Sequence, residues 1–259
     1  MRNEELKLLA SHLDRATLEA REVEKLTTNH PQLSLSSAYK IQEIGIQLRQ
    51  SRGEQTVGYK MGLTSKAKMK QMGVDSPIYG VLTDKMQLFS GQRMTLAGRI
   101  HPKIEPEIAF IMSSDLKGKV TAHQALESVG SVCAAMEIID SRYLKFNFTL
   151  NDVIADNCSS SAFILGPLIK KPNEINLANL GMVLEVNGKP GEFGSSSAIL
   201  GSPAESLAAL SQMLHERGHF IPKGSIVMAG AATRAIALNP STEVRTHVQG
   251  LDSVSLVIE

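Results

Sequence analysis

Residues 99–112 read R-I-H-P-K-I-E-P-E-I-A-F-I-M, an apolar segment interrupted by two glutamates. The apolar side chains of one parity are those of Ile104, Ile108, Phe110 and Met112. Glu105 and Glu107 have the other parity, and alternate residues of a strand point to the same face. The segment therefore predicts a strand with one inward apolar face and two carboxylates on the opposite face, their Cα atoms roughly 7 Å apart.

Residues 131–142 read S-V-C-A-A-M-E-I-I-D-S-R, with Glu137 inside the apolar part. A nearly continuous apolar run predicts a strand that is buried on both faces. An ionised carboxylate there is costly unless it is paired or coordinates a metal, and three converging carboxylates suit a hard cation such as Mg²⁺ or Mn²⁺. The alternative is that Glu105 and Glu107 line a solvated strand face while Glu137 pairs with a lysine, and the spacing alone leaves both open.

The composition indicates a packed globular protein. The 259 residues suffice for one large domain or two small ones, and 42% hydrophobic with 20% charged residues favours a folded core. A net charge of +1, no long basic run and 4% aromatic residues argue against a nucleic-acid partner. No apolar run approaches the length of a membrane span, and the N-terminus lacks the apolar segment of a signal peptide. Two cysteines argue against a disulfide framework, so we expect a cytoplasmic protein.

Helical patterns cluster at the N-terminus. Residues 4–26 predict an amphipathic helix that is broken near Thr17. A second helix is expected to follow an N-cap at Ser34 or Ser36 and to run to about Arg52.

Strand patterns dominate after these helices. The order of elements favours an α+β fold with a mixed, curled sheet over a doubly wound fold. We expect one catalytic domain over residues 1–259, in which residues 1–55 form a helical portion packed on the β-rich core. The sequence leaves open whether those helices also form an oligomer contact.

Charged residues in apolar strands need partners. Residues 57–63, V-G-Y-K-M-G-L, predict a strand with Lys60 at its centre, where a lysine either snorkels to water at a sheet edge or stands in a site. Asp140 and Arg142 are expected to form an ion pair that orients the end of the Glu137 strand.

Local signals set several boundaries. Residues 65–72, S-K-A-K-M-K-Q-M, predict a short helix, and Pro77 and Gly80 predict a turn. A capping box beginning at Thr121 predicts a helix that runs to Val129.

Prolines and glycines place the remaining elements. Pro102 and Pro106 restrict their strand to an edge, a bulge or a barrel rim. Asn187 and Gly188 predict the turn of a hairpin, and Ser202 predicts the N-cap of a late helix.

Five segments resemble one known family: G-Y-K-M-G-L-T-S-K-A-K-M, S-P-I-Y-G, H-P-K-I-E-P-E-I, E-I-I-D-S-R-Y and V-I-A-D-N-C-S-S-S. They are similar to the hydratase/decarboxylase family of aromatic meta-cleavage pathways, within the fumarylacetoacetate hydrolase superfamily. The resemblance covers nearly the whole chain and is specific, whereas E-x-E alone is a weak signal. It implies a mixed β-roll with flanking helices, usually in a homo-oligomer. It also implies that Glu105, Glu107 and Glu137 bind Mg²⁺ or Mn²⁺ and that Lys60 is the active-site lysine.

The resemblance also implies an activity. The expected reaction is metal-dependent decarboxylation of a small 2-oxo dicarboxylate, 2-oxo-3-hexenedioate, to 2-hydroxypenta-2,4-dienoate and CO₂. The resemblance also allows a complex with a sister hydratase. Hydratases of the family carry P-D-F-G where this chain has P-I-Y-G, and Ile78 has no donor or acceptor for water chemistry. The alternatives are a hydratase, a carbon–carbon hydrolase or a non-catalytic homologue, with Ile78 an ordinary packing residue.

Further substrate-binding candidates lie beside these motifs. Tyr79 follows Ile78, and Asn157, Ser159 and Ser160 are expected to hydrogen-bond the substrate carboxylate. The alternative for the last three is that they serve only as loop and cap residues. Ala162 departs from the arginine that the family often carries after the serine-rich motif.

Overall fold

The structure is a computed structural model that describes residues 1–66, 69–70 and 73–259. Its helices are α1 (Asn3–Leu18), α2 (Leu26–Asn29), α3 (Leu35–Ser51), α4 (Ala122–Glu127), α5 (Leu150–Ala155) and α6 (Pro203–His215). Its strands are β1 (Thr56–Gly62), β2 (Ile78–Thr83), β3 (Gln87–Phe89), β4 (Arg93–Met94), β5 (Lys103–Met112), β6 (Val129–Ile139), β7 (Ser160–Lys170), β8 (Gly181–Val186), β9 (Lys189–Ser195), β10 (Ile226–Met228), β11 (Ile236–Ala237), β12 (Thr242–Val248) and β13 (Asp252–Ile258). The helix predicted over residues 65–72 includes four residues that lie outside the described set.

The larger sheet is mixed and curls back on itself. Its order is β2-β1-β10-β5-β6-β7-β3, with β11 beside β5, and the β1/β10 and β3/β7 pairs are parallel. The strands at the two ends of this order, β2 and β3, are joined only by the short turn Asp84–Met86. Because so short a link must bring the two edges together, the sheet closes most of the way into a barrel. This confirms the predicted α+β fold with a curled sheet.

The smaller sheet covers one side of the larger one. Its order is β4-β13-β12-β8-β9. Along β12, Val244, Thr246 and Val248 are buried while their neighbours are more exposed, as expected for a sheet with one solvated face. The inner faces of both sheets contribute to one large apolar cluster.

Strand β5 separates this large cluster from the inside of the curl. Ile104, Ile108, Phe110 and Met112 belong to the large cluster, as their shared parity predicts. The opposite face carries Glu105 and Glu107, and it faces a small apolar cluster of Leu82, Met86, Ala109, Cys133, Ala135, Phe163 and Met228. Because this second face is also buried, the alternative of a solvated strand face is wrong.

The N-terminal helices pack on the sheets. Helix α1 ends at Leu18, so the break predicted near Thr17 is confirmed, and Ser34 caps α3 by accepting a hydrogen bond from the Ser37 amide at 3.2 Å. Apolar residues of both helices belong to the large cluster. No helix in the described ranges is both long and apolar enough to cross a membrane.

Strand β5 is not an edge strand. It pairs with β6 on one side, and on the other with β10 through Ala109–Ile111 and with β11 through Lys103–Ile104. Pro106 stands in the gap between β10 and β11, where its missing N–H interrupts no ladder. A proline is therefore accommodated in this central strand because two separate short strands, β10 and β11, pair with that side of β5 and leave a gap at Pro106.

Two boundaries differ from the prediction. The turn expected at Pro77 and Gly80 is replaced by β2, which already begins at Ile78. Helix α4 ends before Val129, which begins β6, because the strand pairs with β5 from its first residue. The hairpin turn is confirmed, since both of its central residues have positive φ, and so is the N-cap at Ser202.

Candidate metal centre and active site

Three glutamates converge inside the curl. Glu105 and Glu137 are direct cross-strand partners on β5 and β6, and Glu107 lies two residues further along β5 on the same face. One carboxylate oxygen from each lies within 4.8 Å of those of the other two. Their exposed fractions are only 6%, 0% and 0% for Glu105, Glu107 and Glu137.

The protein contacts of Glu107 and Glu137 leave one oxygen of each carboxylate without a hydrogen-bond partner among the described residues. Glu107 Oε2 accepts a hydrogen bond from the Gly230 amide at 2.7 Å, while Glu107 Oε1 and Glu137 Oε1 have no hydrogen-bond partner within the described ranges. Burial, together with repulsion from Glu137 and Glu105, raises the pKa of Glu107 well above its ordinary value. Burial also raises the pKa of Glu137 to about 7, although the nearby Lys60 acts in the opposite direction.

Lys60 is the cation of this cluster. It lies in the middle of β1, which is covered by β10 and β2, and only 3% of the residue is exposed. Its Nζ lies 2.8 Å from Glu137 Oε2 and donates to the Cys158 carbonyl at 3.3 Å. Burial disfavours the ammonium, but the charge of Glu137 and the other carboxylates outweighs it and raises the pKa of Lys60. The alternative of a lysine that snorkels to water at a sheet edge is therefore wrong.

The donor set fits a hard divalent cation. Within the described ranges, three carboxylates and the Lys60 ammonium meet in a buried site. Carboxylate oxygens are the ligands that Mg²⁺ and Mn²⁺ prefer, and the unpartnered oxygens of Glu107 and Glu137 are available to coordinate an ion.

A strained turn lies against Lys60. Asn157, Cys158 and Ser159 all have φ near +50°, a left-handed conformation that costs of order 1–3 kcal/mol for each such residue. The Asn157 side chain fixes this turn by accepting from the Val81 amide at 2.8 Å and donating to the Val81 carbonyl at 2.9 Å. Only glycine fits at position 80, because a Cβ there would stand 2.7 Å from the Asn157 carbonyl oxygen.

The turn determines what the predicted polar candidates can do. Both polar atoms of Asn157 hydrogen-bond β2, so the residue positions the turn, and its hydrogen bond to the substrate stays a prediction. Ser160 Oγ donates to Met86 Sδ at 3.9 Å and lies close enough to Glu137 to lower the pKa of that carboxylate. Ser159 Oγ is buried and has no partner within the described ranges, so it stays a prediction for substrate binding.

Ile78 and Tyr79 point to opposite faces of β2. Ile78 pairs with Gly62, and a Gly62 Cβ would stand 3.1 Å from Ile78 Cγ1 and 3.8 Å from Lys60 Nζ. Ile78 therefore lies on the Lys60 face. The Tyr79 ring stacks on Tyr39 of α3 with centroids 4.8 Å apart, on the opposite face, and its predicted place beside the substrate is not supported.

The predicted Asp140–Arg142 side-chain ion pair is wrong. Arg142 Nε pairs with the Asp156 carboxylate, and Arg142 Nη1 donates to the main-chain carbonyl of Asp140 at 2.6 Å. The Asp140 carboxylate instead accepts the backbone amides of Ile100 and His101. Arg142 thus anchors the turn that follows α5 rather than the strand end alone.

Sequence reasoning missed two backbone contributors. The Gly230 amide holds Glu107, and a Cβ at Gly230 would stand 2.3 Å from Thr64 Oγ1. The Cys158 carbonyl holds Lys60. The glycine in A-G-A-A directly after a buried strand is the signal that could have indicated a close backbone approach.

Comparison with known proteins shows the family of this chain. The family model described as "Fumarylacetoacetate (FAA) hydrolase C-terminal" matches residues 60–258. A 4-oxalocrotonate decarboxylase of a Pseudomonas species is 44% identical over 247 residues, which cover 95% of each chain. A 2-keto-4-pentenoate hydratase of Paraburkholderia xenovorans is 33% identical and covers 96% of this chain and 93% of its own.

A solved structure resembles nearly the whole fold. The 4-oxalocrotonate decarboxylase from Pseudomonas putida G7, complexed with magnesium and adipate, superposes with a TM-score of 0.98 at 38% identity. The match covers 100% of this chain and 99% of that one. The sequence resemblance to the hydratase/decarboxylase family is confirmed.

Proposed function

This chain belongs to the fumarylacetoacetate hydrolase family, and we propose that it is a 2-oxo-3-hexenedioate (4-oxalocrotonate) decarboxylase that requires Mg²⁺ or Mn²⁺. The products are 2-hydroxypenta-2,4-dienoate and CO₂. The observation that carries the proposal is the buried Glu105, Glu107 and Glu137 cluster with Lys60 against it.

The three glutamates are the residues that hold the cation. The chemistry that a bound divalent cation supplies is Lewis-acid stabilisation of negative charge on the 2-oxo-acid end of the substrate. Gly230 orients Glu107 through its amide, and Ser160 lies close to Glu137. These contacts preorganise the carboxylates, which reduces the rearrangement needed at the moment of reaction.

Lys60 supplies a positive charge and a proton. Its raised pKa keeps Nζ protonated at neutral pH, so it offsets the charge of an arriving dianionic substrate. Nζ is held between Glu137 and the Cys158 carbonyl, and from there it donates a proton to the dienolate that forms as CO₂ leaves.

Ile78 favours decarboxylation over hydration. Decarboxylation consumes no water, whereas addition of water to a dienoate requires a group that orients or deprotonates it. Ile78 places an apolar side chain on the Lys60 face, where it excludes water from the product. The higher identity to decarboxylases, 44% against 33% for a hydratase, supports the same assignment.

The proposal also covers substrate binding, oligomeric state, cellular location and a partner enzyme. Ser159 Oγ, which is buried and unpartnered in the described part of the chain, is the hydroxyl that hydrogen-bonds the substrate carboxylate.

The chain acts as a homo-oligomer in the cytoplasm, where its two free thiols persist. A sister hydratase that consumes the dienoate is its expected partner, and co-purification with light scattering tests both assemblies.

The deciding assay uses metal-stripped protein, 2-oxo-3-hexenedioate and added Mg²⁺. We expect CO₂ and 2-hydroxypenta-2,4-dienoate in equal amounts only when Mg²⁺ is present, and no 4-hydroxy-2-oxopentanoate from the dienoate.

Ile78→Asp should slow CO₂ release, because it charges the pocket of the leaving carboxylate, while Ile78→Val should retain it. Hydration of the dienoate without CO₂ release from the enedioate would instead assign the chain to the hydratases.

A further inference from the structure

A cavity lined by three arginines lies outside the metal centre. It has a volume of about 140 Å³ and lies among α1, α3, the loop before β5 and the start of β7. A cavity that holds a single water measures about 10–15 Å³, so this one accommodates a small ion together with water. Arg49, Arg99 and Arg142 line it, whereas Lys60 and the three glutamates do not.

The Arg49 guanidinium has no hydrogen bond or ion pair within the described ranges. The carboxylates near enough to act on it are those of Glu54, Asp14 and Asp156. Each of these has a nearer partner: Asp14 pairs with Arg52 at 2.7 Å, Glu54 accepts from the Thr83 hydroxyl at 2.6 Å, and Asp156 pairs with Arg142. Arg49 is half-buried, and this burial lowers the pKa of its guanidinium. A half-buried guanidinium that lines a cavity and has no acceptor in the described part of the chain is available to bind an anion there.

Arg99 approaches the same cavity from the other side. One of its amino groups donates to the Ser161 hydroxyl, and its other donors are uncommitted among the described residues. Asp140 is the acidic residue of the cavity wall, but its carboxylate already accepts the Ile100 amide at 3.0 Å and the His101 amide. The wall therefore presents two guanidiniums with donors that no residue in the described ranges accepts.

We propose that this cavity is a binding site for a small oxyanion, a phosphate or carboxylate group, held by Arg49 and Arg99. Guanidinium donors match the paired oxygens of both groups. Arg142 adds a fixed positive charge, because its own donors are committed to Asp156 and to the Asp140 carbonyl. Ser160 separates the site from Glu137, so an anion can bind there without displacing a metal ligand.

The test is calorimetric titration of the Mg²⁺-loaded enzyme with inorganic phosphate and, separately, with succinate. We expect one anion per chain, and the arm that binds identifies the source as a phosphate or a carboxylate group. Arg49→Met should weaken binding by roughly 10-fold to 100-fold, the range for loss of a charge-assisted hydrogen bond. Arg93→Met, at an exposed arginine of β4, should leave the affinity unchanged.

Thermal unfolding separates a binding role from a structural one. In anion-free buffer Arg49→Met should melt no lower than the wild type, because the guanidinium that it removes makes no hydrogen bond or ion pair in the described part of the chain. Added anion should then stabilise the wild type and Arg93→Met but not Arg49→Met. The proposal is overturned if neither anion binds, if Arg49→Met binds them as tightly as the wild type, or if Arg49→Met is destabilised without anion.

Discussion

The carboxylate cluster and the Arg142–Asp156 pair both bury charge near the same end of the curled sheet, but only one of them is satisfied by the chain. Arg142 distributes its donors over the Asp156 carboxylate and two main-chain carbonyls, and Asp156 also accepts the Arg142 amide at 3.2 Å. In the cluster, the Lys60 ammonium lies against Glu137, and one oxygen each of Glu107 and Glu137 lacks a hydrogen-bond partner in the described part of the chain.

The difference distinguishes a structural ion pair from a ligand-binding site. A buried charge that is fully hydrogen-bonded holds the fold in place, and removing one partner is costly. A buried charge that the chain leaves uncompensated destabilises the protein until a ligand arrives. The following predictions test that distinction at each site.

Replacement of a glutamate should abolish activity and preserve the fold. Glu105→Gln removes a charged ligand, and loss of several kcal/mol of charge stabilisation corresponds to at least about 10³ in turnover. The measurement is CO₂ release at saturating Mg²⁺, with circular dichroism as the check on folding. Glu127→Gln on exposed α4 is the control. Wild-type turnover of Glu105→Gln would contradict the proposal that this glutamate holds a catalytic cation.

Disruption of the satisfied pair should affect stability instead. Asp156→Asn leaves Arg142 buried without its counter-charge and should lower the free energy of unfolding by about 3–5 kcal/mol. Denaturant unfolding measures the loss. The exposed Asp115→Asn, beside Lys117, should leave stability nearly unchanged, and equal stability of the two variants would contradict a structural role for the pair.

Replacement of Lys60 should affect turnover more than metal binding. Lys60→Met removes the proton donor and the ammonium that pairs with Glu137, and the expected loss of kcat is at least about 10². Steady-state kinetics measures it, with the exposed Lys85→Met as the matched variant. A loss confined to KM would show that Lys60 binds substrate without acting in the chemical step.

The metal-free cluster should respond to pH in a defined direction. Burial raises the pKa of Glu137 to about 7 and raises that of Glu107, so the folded protein binds protons between about pH 4.5 and 7 that the unfolded chain has released. The stability contributed by these protons is complete below the unfolded pKa and is lost as pH rises through the folded one. A cation must displace the same protons, so its affinity should rise up to about tenfold per pH unit and per proton displaced.

The measurement is calorimetric titration with Mg²⁺ at pH 5.5 and at pH 8. The affinity should be higher at pH 8, while the metal-free protein should lose stability over the same interval. A Mg²⁺ affinity that is independent of pH would indicate that the glutamates are ionised before the cation binds.

Part of this site follows from local sequence patterns. Two glutamates at alternate positions of a strand must share a face, and Glu137 within a continuous apolar run must be buried, whatever the rest of the chain does. These two facts leave both a metal site and a paired, solvated arrangement open, and it is the family resemblance that joins the three glutamates and Lys60 in one predicted site.

The remaining parts depend on contacts between distant segments. Gly80 looks like a turn residue, yet it lies within β2, where it pairs with Lys60. A glycine is needed there because the carbonyl of Asn157, 77 positions away in the sequence, approaches it closely. Arg142 pairs with Asp156 rather than with Asp140, since the loop before β5 occupies the Asp140 carboxylate. No pattern within either segment indicates these partners.

The most direct test of the central claim compares thermal unfolding of the metal-stripped wild type and Glu107→Gln, with and without Mg²⁺. Glu107→Gln should melt at or above the metal-free wild type, because it removes one uncompensated buried charge. At about 100 times the dissociation constant, Mg²⁺ should stabilise the wild type by about 2.7 kcal/mol and raise its Tm by roughly 5–10 °C, but leave Glu107→Gln almost unchanged. Equal stabilisation of both proteins by Mg²⁺, or a lower Tm for metal-free Glu107→Gln, would contradict the claim that this cluster is a cation site.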